Sequence, residues 1–202
     1  MFKTRWGVTM NSYEKVVKLL QSAEIPCAIV GGAVRARLHD LTLEAKDYDI
    51  IVHAGYSAEL LRAISDAGGI TCQVHQQYPA AIANHFQQHY QELHEVMFEG
   101  LDLDVLVLRE DKYNPHVGEG QYNRARDHII DSHFRYVVSS FDNVINQCYH
   151  PVFEGWGFPT YLNPFAINEP IAKQCSQVTE EREAHIKEIA SRMGWVYVPA
   201  DE

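Results

Sequence analysis

The sequence predicts a mixed α/β domain. Helical and strand periods alternate from residue 12 to residue 75, in the order helix, strand, helix, strand, helix, strand. Two apolar runs then meet at Glu99-Gly100-Leu101, as strands of a hairpin do. The 202 residues are 46% hydrophobic and 22% charged, which suits one domain with an ordinary core.

Taken in order, residues 12–24 place Tyr13, Val16, Val17, Leu20 and Ala23 on one helical face, with Asn11 or Ser12 as cap and Pro26 as stop. Cys27–Val30 reads as a short buried strand. Gly31-Gly32 turns the backbone tightly, and Ala33–His39 forms a short helix carrying Arg35 and Arg37. Asp47–His53 is a second strand. Ser57 caps a helix to Ala67, with Ala58, Leu61 and Ile64 inward, and Gly68-Gly69 ends it. Ile70–His75 is a third strand, and Pro79–Tyr90 has the composition of a helix.

Leu93–Glu99 and Leu101–Leu108 pair as strands, with Asp102 and Asp104 on one face of the second and Leu101 and Leu103 on the other. Residues 111–126, with Asn114-Pro115 and Gly118-Glu119-Gly120, read as a loop. Phe134–Val138 fits strand or helix, and Asp142–Tyr149 a helix or turn. Thr179 caps a last helix with Glu180, Glu181 and Glu183 in its early turns; Ile186, Ile189, Ala190 and Met193 form its stripe and Gly194 stops it. This divides the chain into a domain over 1–164 and a helical appendage over 165–202 packed on it.

Bulk properties narrow the function classes. No apolar run approaches the ~20 residues of a membrane span, and the N-terminus carries no signal-peptide pattern. Four scattered cysteines make no C-x-x-C pair and suit a reducing cytoplasm. A net charge of −10 disfavours nonspecific nucleic-acid binding, which depends on Lys and Arg displacing counterions.

One stretch carries chemistry. In a strand, Asp47 and Asp49 point to the same side, about 7 Å apart by strand rise. They follow a glycine turn that opens a helix and an Arg one turn further on. Two carboxylates near such a turn can hold metal ions against phosphates. If the strand bearing Asp102 and Asp104 lies beside them, a third ligand joins. The bland alternatives are a simple turn, solvated carboxylates, and an Arg35 that pairs with Asp40. His85 and His89 stand at helical spacing, but Phe-Gln-Gln between them lacks the general-base Glu of the zinc-protease pattern. Tyr149, Phe153, Trp156, Phe158 and Tyr161 suit packing of a Gly/Pro-rich segment better than base stacking.

The ordered set Gly31-Gly32-Ala33-Val34-Arg35, Lys46-Asp47-Tyr48-Asp49-Ile50-Ile51-Val52, Asp104 to Arg109, and Asp142-Asn143-Val144-Ile145-Asn146 resembles the nucleotidyltransferase superfamily that includes DNA polymerase β. It is most like the catalytic head of CCA-adding enzymes and bacterial poly(A) polymerases. The resemblance covers residues 25–150 and implies a mixed sheet flanked by helices. It implies Asp47, Asp49 and Asp104 as catalytic ligands of Mg²⁺ or Mn²⁺. Gly31, Gly32 and Arg35 would lie at the nucleotide's phosphates and Asp142 and Asn146 at its sugar. The activity implied is transfer of a nucleoside monophosphate from an NTP, ATP among them, to a hydroxyl of an RNA end, a protein or a small molecule.

Three departures mark this chain. Ala36 stands where the family has Asp after the motif Arg. Ser140-Phe141 stand where it has two arginines. Its 202 residues are also expected to be too few for the helical body that grips tRNA in the family. These leave open a second reading, an inactive nucleotidyltransferase-like fold that binds a nucleotide or a protein.

Overall fold

The protein is described by a computed structural model over residues 11–39, 45, 47–75, 89–109, 123–152, 157–163, 166 and 168–200, with backbone alone for 123–129. Helix α1 (Ser12–Ala23) leads to β1 (Cys27–Val30), α2 (Gly32–Leu38), β2 (Asp47–His53), α3 (Ala54–Asp66), β3 (Ile70–His75), β4 (Tyr90–Phe98) and β5 (Leu101–Leu108). Then come α4 (Asn123–Ser139), a 3₁₀ turn (Val144–Asn146), β6 (Cys148–Val152), β7 (Thr160–Tyr161), β8 (Ile171–Lys173), α5 (Glu180–Met193) and β9 (Val196–Val198). The fold is mixed α/β, as the alternating periods predict.

Seven strands form one sheet in the order β3-β4-β5-β2-β1-β6-β7, and β8 and β9 form a separate parallel pair. Every neighbour in the large sheet is antiparallel except β2 and β5, which run parallel side by side. Both faces of the central strands are covered. On one face Ile29, Tyr48, Ile50, Leu103, Val105 and Val107 pack with residues of α1, α2, α3 and α5, including Leu20, Val34, Leu60 and Ile186. On the other, Val30, Ile51, Leu106, Leu108 and Tyr149 pack against Ile130, Phe134, Val137 and Val138 of α4. Burial of each such large apolar side chain contributes roughly 1.5–3 kcal/mol. Two layers of this kind hold the middle strands rigidly.

Several local expectations change. His53, not Ser57, occupies the cap position of α3, and the Ser57 hydroxyl donates to the Ala54 carbonyl within the helix. The buried stripe of α3 is Leu60 and Ile64, while Ala58 and Ala67 are exposed. Residues 123–126, read as loop, begin α4. Its apolar positions 130, 134, 137 and 138 keep helical spacing. The stretch 142–149 splits into the 3₁₀ turn and the start of β6. Pro151 argues against a strand there. However, β7 reaches only Cys148 and Tyr149, leaving Pro151 at an edge position where a missing N–H breaks no ladder bond. The expected helix over 79–90 falls largely outside the described residues, although Tyr90 opens β4. Beyond residue 165, β8 and β9 accompany the helix, and Ala172, Ile186, Ala190 and Trp195 belong to the main core. Among the described residues, no helix is long and apolar enough to cross a membrane.

Candidate active site

The parallel pairing of β2 and β5 fixes the register of the carboxylates. Asp47 lies opposite Asp102, and Asp49 opposite Asp104. Residues directly opposite share a face, with Cβ atoms about 4.5–5.5 Å apart. All four aspartates therefore line one face at the N-terminal ends of the two strands. Further along the same face, Ile51, Leu106 and Leu108 enter the core under α4. Carboxylates at the open end thus give way to apolar residues at the covered end. On β4, Glu95 pairs with Asp104 and extends the row.

Crowding changes how these groups hold protons. Burial, with the negative charges of Asp47 and Asp104, pushes the Asp49 carboxyl up from 3.8 to about 7. Burial, followed by Asp47, Glu95 and Asp102, pushes Asp104 up to about 6. A divalent cation would relieve this repulsion, and hard carboxylate oxygens are the donors Mg²⁺ prefers. The donor chemistry of Asp47, Asp49 and Asp104 therefore fits such an ion. Among the described residues, no three His, Cys, Asp or Glu side chains already converge as a coordination shell. Binding would have to draw the row together.

Asp49 also meets the glycine turn. Gly31 has φ +67°, and a Cβ placed on it would lie 3.4 Å from Asp49 Oδ2 and 3.9 Å from the Phe141 ring. A side chain here would be strained by backbone conformation and would press on the carboxylate. The turn is pinned from behind, where the Gly31 N–H donates to the Cys148 carbonyl (3.1 Å) and the Arg35 N–H donates to the Gly31 carbonyl (3.0 Å). Helix α2, which it opens, has seven residues.

Arg35 points into a polar chain of contacts. Its guanidinium donates to Asn146 Oδ1, and Asn146 Nδ2 donates to Asp142 Oδ1 (3.1 Å). Asp142 receives Arg182 of α5 through Nε at 2.7 Å and Nη2 at 3.4 Å. Asp142 and Asn146 are both buried. Arg35 contacts Asn146; its proposed partner Asp40 lies outside the described residues.

The sequence reading missed Arg182. It lies in the stretch set apart as an appendage, forty positions from its carboxylate, and carries no motif. Its positive charge also lowers the pKa of Asp49, opposing the burial effect. Glu95 was missed because only strand register reveals its place beside Asp104.

Other candidates lie elsewhere. His89 is buried, with its ring edge-on to Tyr136; His85 is outside the described residues. Tyr149 and Tyr161 pack in the two cores, while Phe158 is exposed. Burial pushes the Cys27 and Cys148 thiols up to about 12, which suppresses thiolate chemistry there.

No family model matches the chain, and no curated protein matches it. Solved structures do. A tRNA-processing enzyme in an apo form superposes with a TM-score of 0.57 at 14% identity, covering 95% of this chain and 45% of that one. A CCA-adding enzyme with ATP gives 0.55 at 15%, covering 92% and 40%. A tRNA nucleotidyltransferase with a primer tRNA and an incoming ATP analogue gives 0.51 at 17%, covering 91% and 46%. The fold is nucleotidyltransferase-like. This chain spans less than half the length of each of these three. The nucleotidyltransferase-like sheet puts the three expected carboxylates on its two parallel strands, and puts Gly31 against one of them.

Proposed function

We propose that this chain is a metal-dependent nucleotidyltransferase. It would move a nucleoside monophosphate from an NTP to a hydroxyl acceptor. The observation that carries the reading is the parallel register of β2 and β5, which places Asp47 and Asp49 on one face with Asp104. Asp47 and Asp49 would hold Mg²⁺ or Mn²⁺, with Asp104 completing the set on the side of the attacking hydroxyl. When bound, such ions activate the attacking oxygen and steady the leaving one.

The chain's own residues do the rest. The turn at Gly31-Gly32 lets the triphosphate approach the backbone. Arg35 neutralises a phosphate oxygen, and Asn146, held by Asp142, orients both Arg35 and the nucleotide sugar. The acceptor oxygen bonds to the α-phosphorus as the bond to the bridging oxygen breaks, and pyrophosphate leaves with that electron pair. Four free thiols suit a cytoplasmic setting.

A second reading is a binding module on the same fold. Ala36 and Ser140-Phe141, together with an Arg35 already engaged by Asn146, favour it. Incubation with α-labelled NTPs, Mg²⁺ or Mn²⁺ and a cell extract separates the two. The enzyme reading expects label transfer that is lost when Asp47→Ala and Asp49→Ala are combined. Nucleotide binding without transfer, unaffected by that double change, would establish the binding module instead.

A further inference from the structure

The two flanks of this site differ in their basic side chains. Toward β1 and beyond stand Arg35, held by Asn146, and Arg182, held by Asp142. Arg135 lies over the Tyr149 ring of β6, 5.1 Å from its centroid, and pairs with Asp131 at 2.8 Å. Toward β4 and β3 the balance reverses. Between Arg62 and Arg109 the sequence contains neither lysine nor arginine, and that stretch supplies all of β3, β4 and β5. Helix α4 lies over the sheet, with its side chains described from Ile130 onward. Phe141, just beyond its C-terminal end, meets Gly31, whereas His133 meets His53 at the far end of β2. The helix therefore runs away from the carboxylates toward its N-terminus.

Register shows what the flank offers instead. Glu95 stands beside Asp104, and Gln73 beside Glu95. Glu95 Oε1 is 2.9 Å from His75 Nε2, and the Glu95 side chain is 42% exposed. In the next row, Asp102 pairs with Met97, and Met97 with Ile70. Met97 and Ile70 are 38% and 67% exposed. From Asp104 to Gln73 is two strand spacings, about 10 Å. That is room for a small molecule, with one anionic row and one apolar row.

The direction of attack links this flank to the acceptor. If Gly31 and Arg35 hold the triphosphate, in-line displacement requires the hydroxyl to arrive from the opposite side, across β5 and β4. A nucleic-acid end arriving there would bring phosphates over Glu95 and Asp102 with no lysine or arginine on β3, β4 or β5 to meet them.

We propose that the acceptor is a small hydroxyl compound carrying a protonated amine, with the amine at Glu95 and the carbon frame on Met97 and Ile70. The proposal rests on the nucleotidyltransferase reading of the site. The acceptor oxygen bonds to the α-phosphorus, pyrophosphate departs with the electrons of the broken bond, and the hydroxyl proton passes to water.

The test offers the full chain, with α-labelled NTP and Mg²⁺, two acceptor preparations from one extract. One is total RNA. The other is the ultrafiltrate retained on a cation exchanger. Label in a filterable, ribonuclease-resistant, cation-exchanger-retained product supports the proposal. Label in RNA, or in protein carried by either preparation, overturns it while leaving the nucleotidyltransferase reading intact. Transfer to neither overturns the proposal, and transfer into the unfractionated extract then decides the nucleotidyltransferase reading. With the labelled fraction as acceptor, Glu95→Lys should raise the acceptor KM about tenfold and Glu95→Gln somewhat less, with the NTP KM unchanged. Acceptor KM values unmoved in both folded variants would overturn the role given to Glu95.

Discussion

The two sides of the carboxylate row are built by different means. On the β1 side, Gly31, Arg35, Asn146, Asp142 and Arg182 form a continuous chain of contacts drawn from β1, α2, the 3₁₀ turn and α5. On the β4 side, Glu95, Gln73, Met97 and Ile70 stand in strand register, and the His75–Glu95 pair is the one side-chain contact described among the named residues. The first arrangement is cross-braced around the buried Asp142 and Asn146, with two guanidiniums to one carboxylate. The second is open and anionic, with exposed apolar groups. A site that must hold one fixed donor and admit a separate acceptor has reason to be asymmetric in this way: pre-organisation serves the donor, while access serves the acceptor.

The comparison can be broken most severely at its boundary. If Asp49 holds metal as proposed, Asp49→Asn should reduce kcat for nucleotidyl transfer at least about 10³-fold, because loss of a metal ligand removes several kcal/mol of charge stabilisation. Circular dichroism of the variant should remain that of the native fold. The braced side should respond next. Arg182→Ala frees Asp142 and loosens Asn146 and Arg35 behind it. We expect the NTP KM to rise about tenfold, equal to ~1.4 kcal/mol. The loss of stability should be only about 1 kcal/mol, since Arg182 is 41% exposed and its ion pair is screened by solvent. An unchanged KM would mean that the brace does not reach the nucleotide.

Gly31→Ala should cost about 1–2 kcal/mol of stability, read by urea denaturation, from its left-handed φ alone. The new methyl would also crowd Asp49. The smallest effect concerns protons. Asp49 and Asp104 hold their protons more tightly folded than unfolded. At these two carboxyls the folded chain binds more protons between about pH 4 and about pH 7, a contribution to stability that is lost as pH rises through that window, while His53 and His133, which burial pushes down to about 4, contribute in the opposite direction. Across it the Tm of the metal-free native protein should therefore fall relative to that of metal-free Asp49→Asn. Addition of Mg²⁺ at pH 7 should recover part of the loss. Parallel Tm profiles for the two proteins would show that Asp49 is not a source of the difference.

The legibility of the molecule in its sequence follows the same division. β1, β2, β3 and β5 could be read at once, because their apolar periods are short, pure and bounded by turn residues. The glycine turn and the paired aspartates lie within a short local stretch, so they too were visible. What spacing cannot show is which strand neighbours which. Glu95 acquires its place only from the β4–β5 register, and Arg182 only from the packing of α5 against the turn that follows α4. β6 was hidden by Pro151, whose edge position is a tertiary fact. The start of α4 was hidden by the polar, glycine-bearing stretch before it.

The central claim is that Asp47, Asp49 and Asp104 together hold divalent metal for a bound NTP. Electron paramagnetic resonance of Mn²⁺, titrated in the presence of a non-hydrolysable NTP analogue, tests it directly. The account predicts nucleotide-dependent Mn²⁺ binding that is lost in Asp47→Ala/Asp49→Ala and weakened in Asp104→Asn. Equal Mn²⁺ binding by all three folded proteins would contradict it.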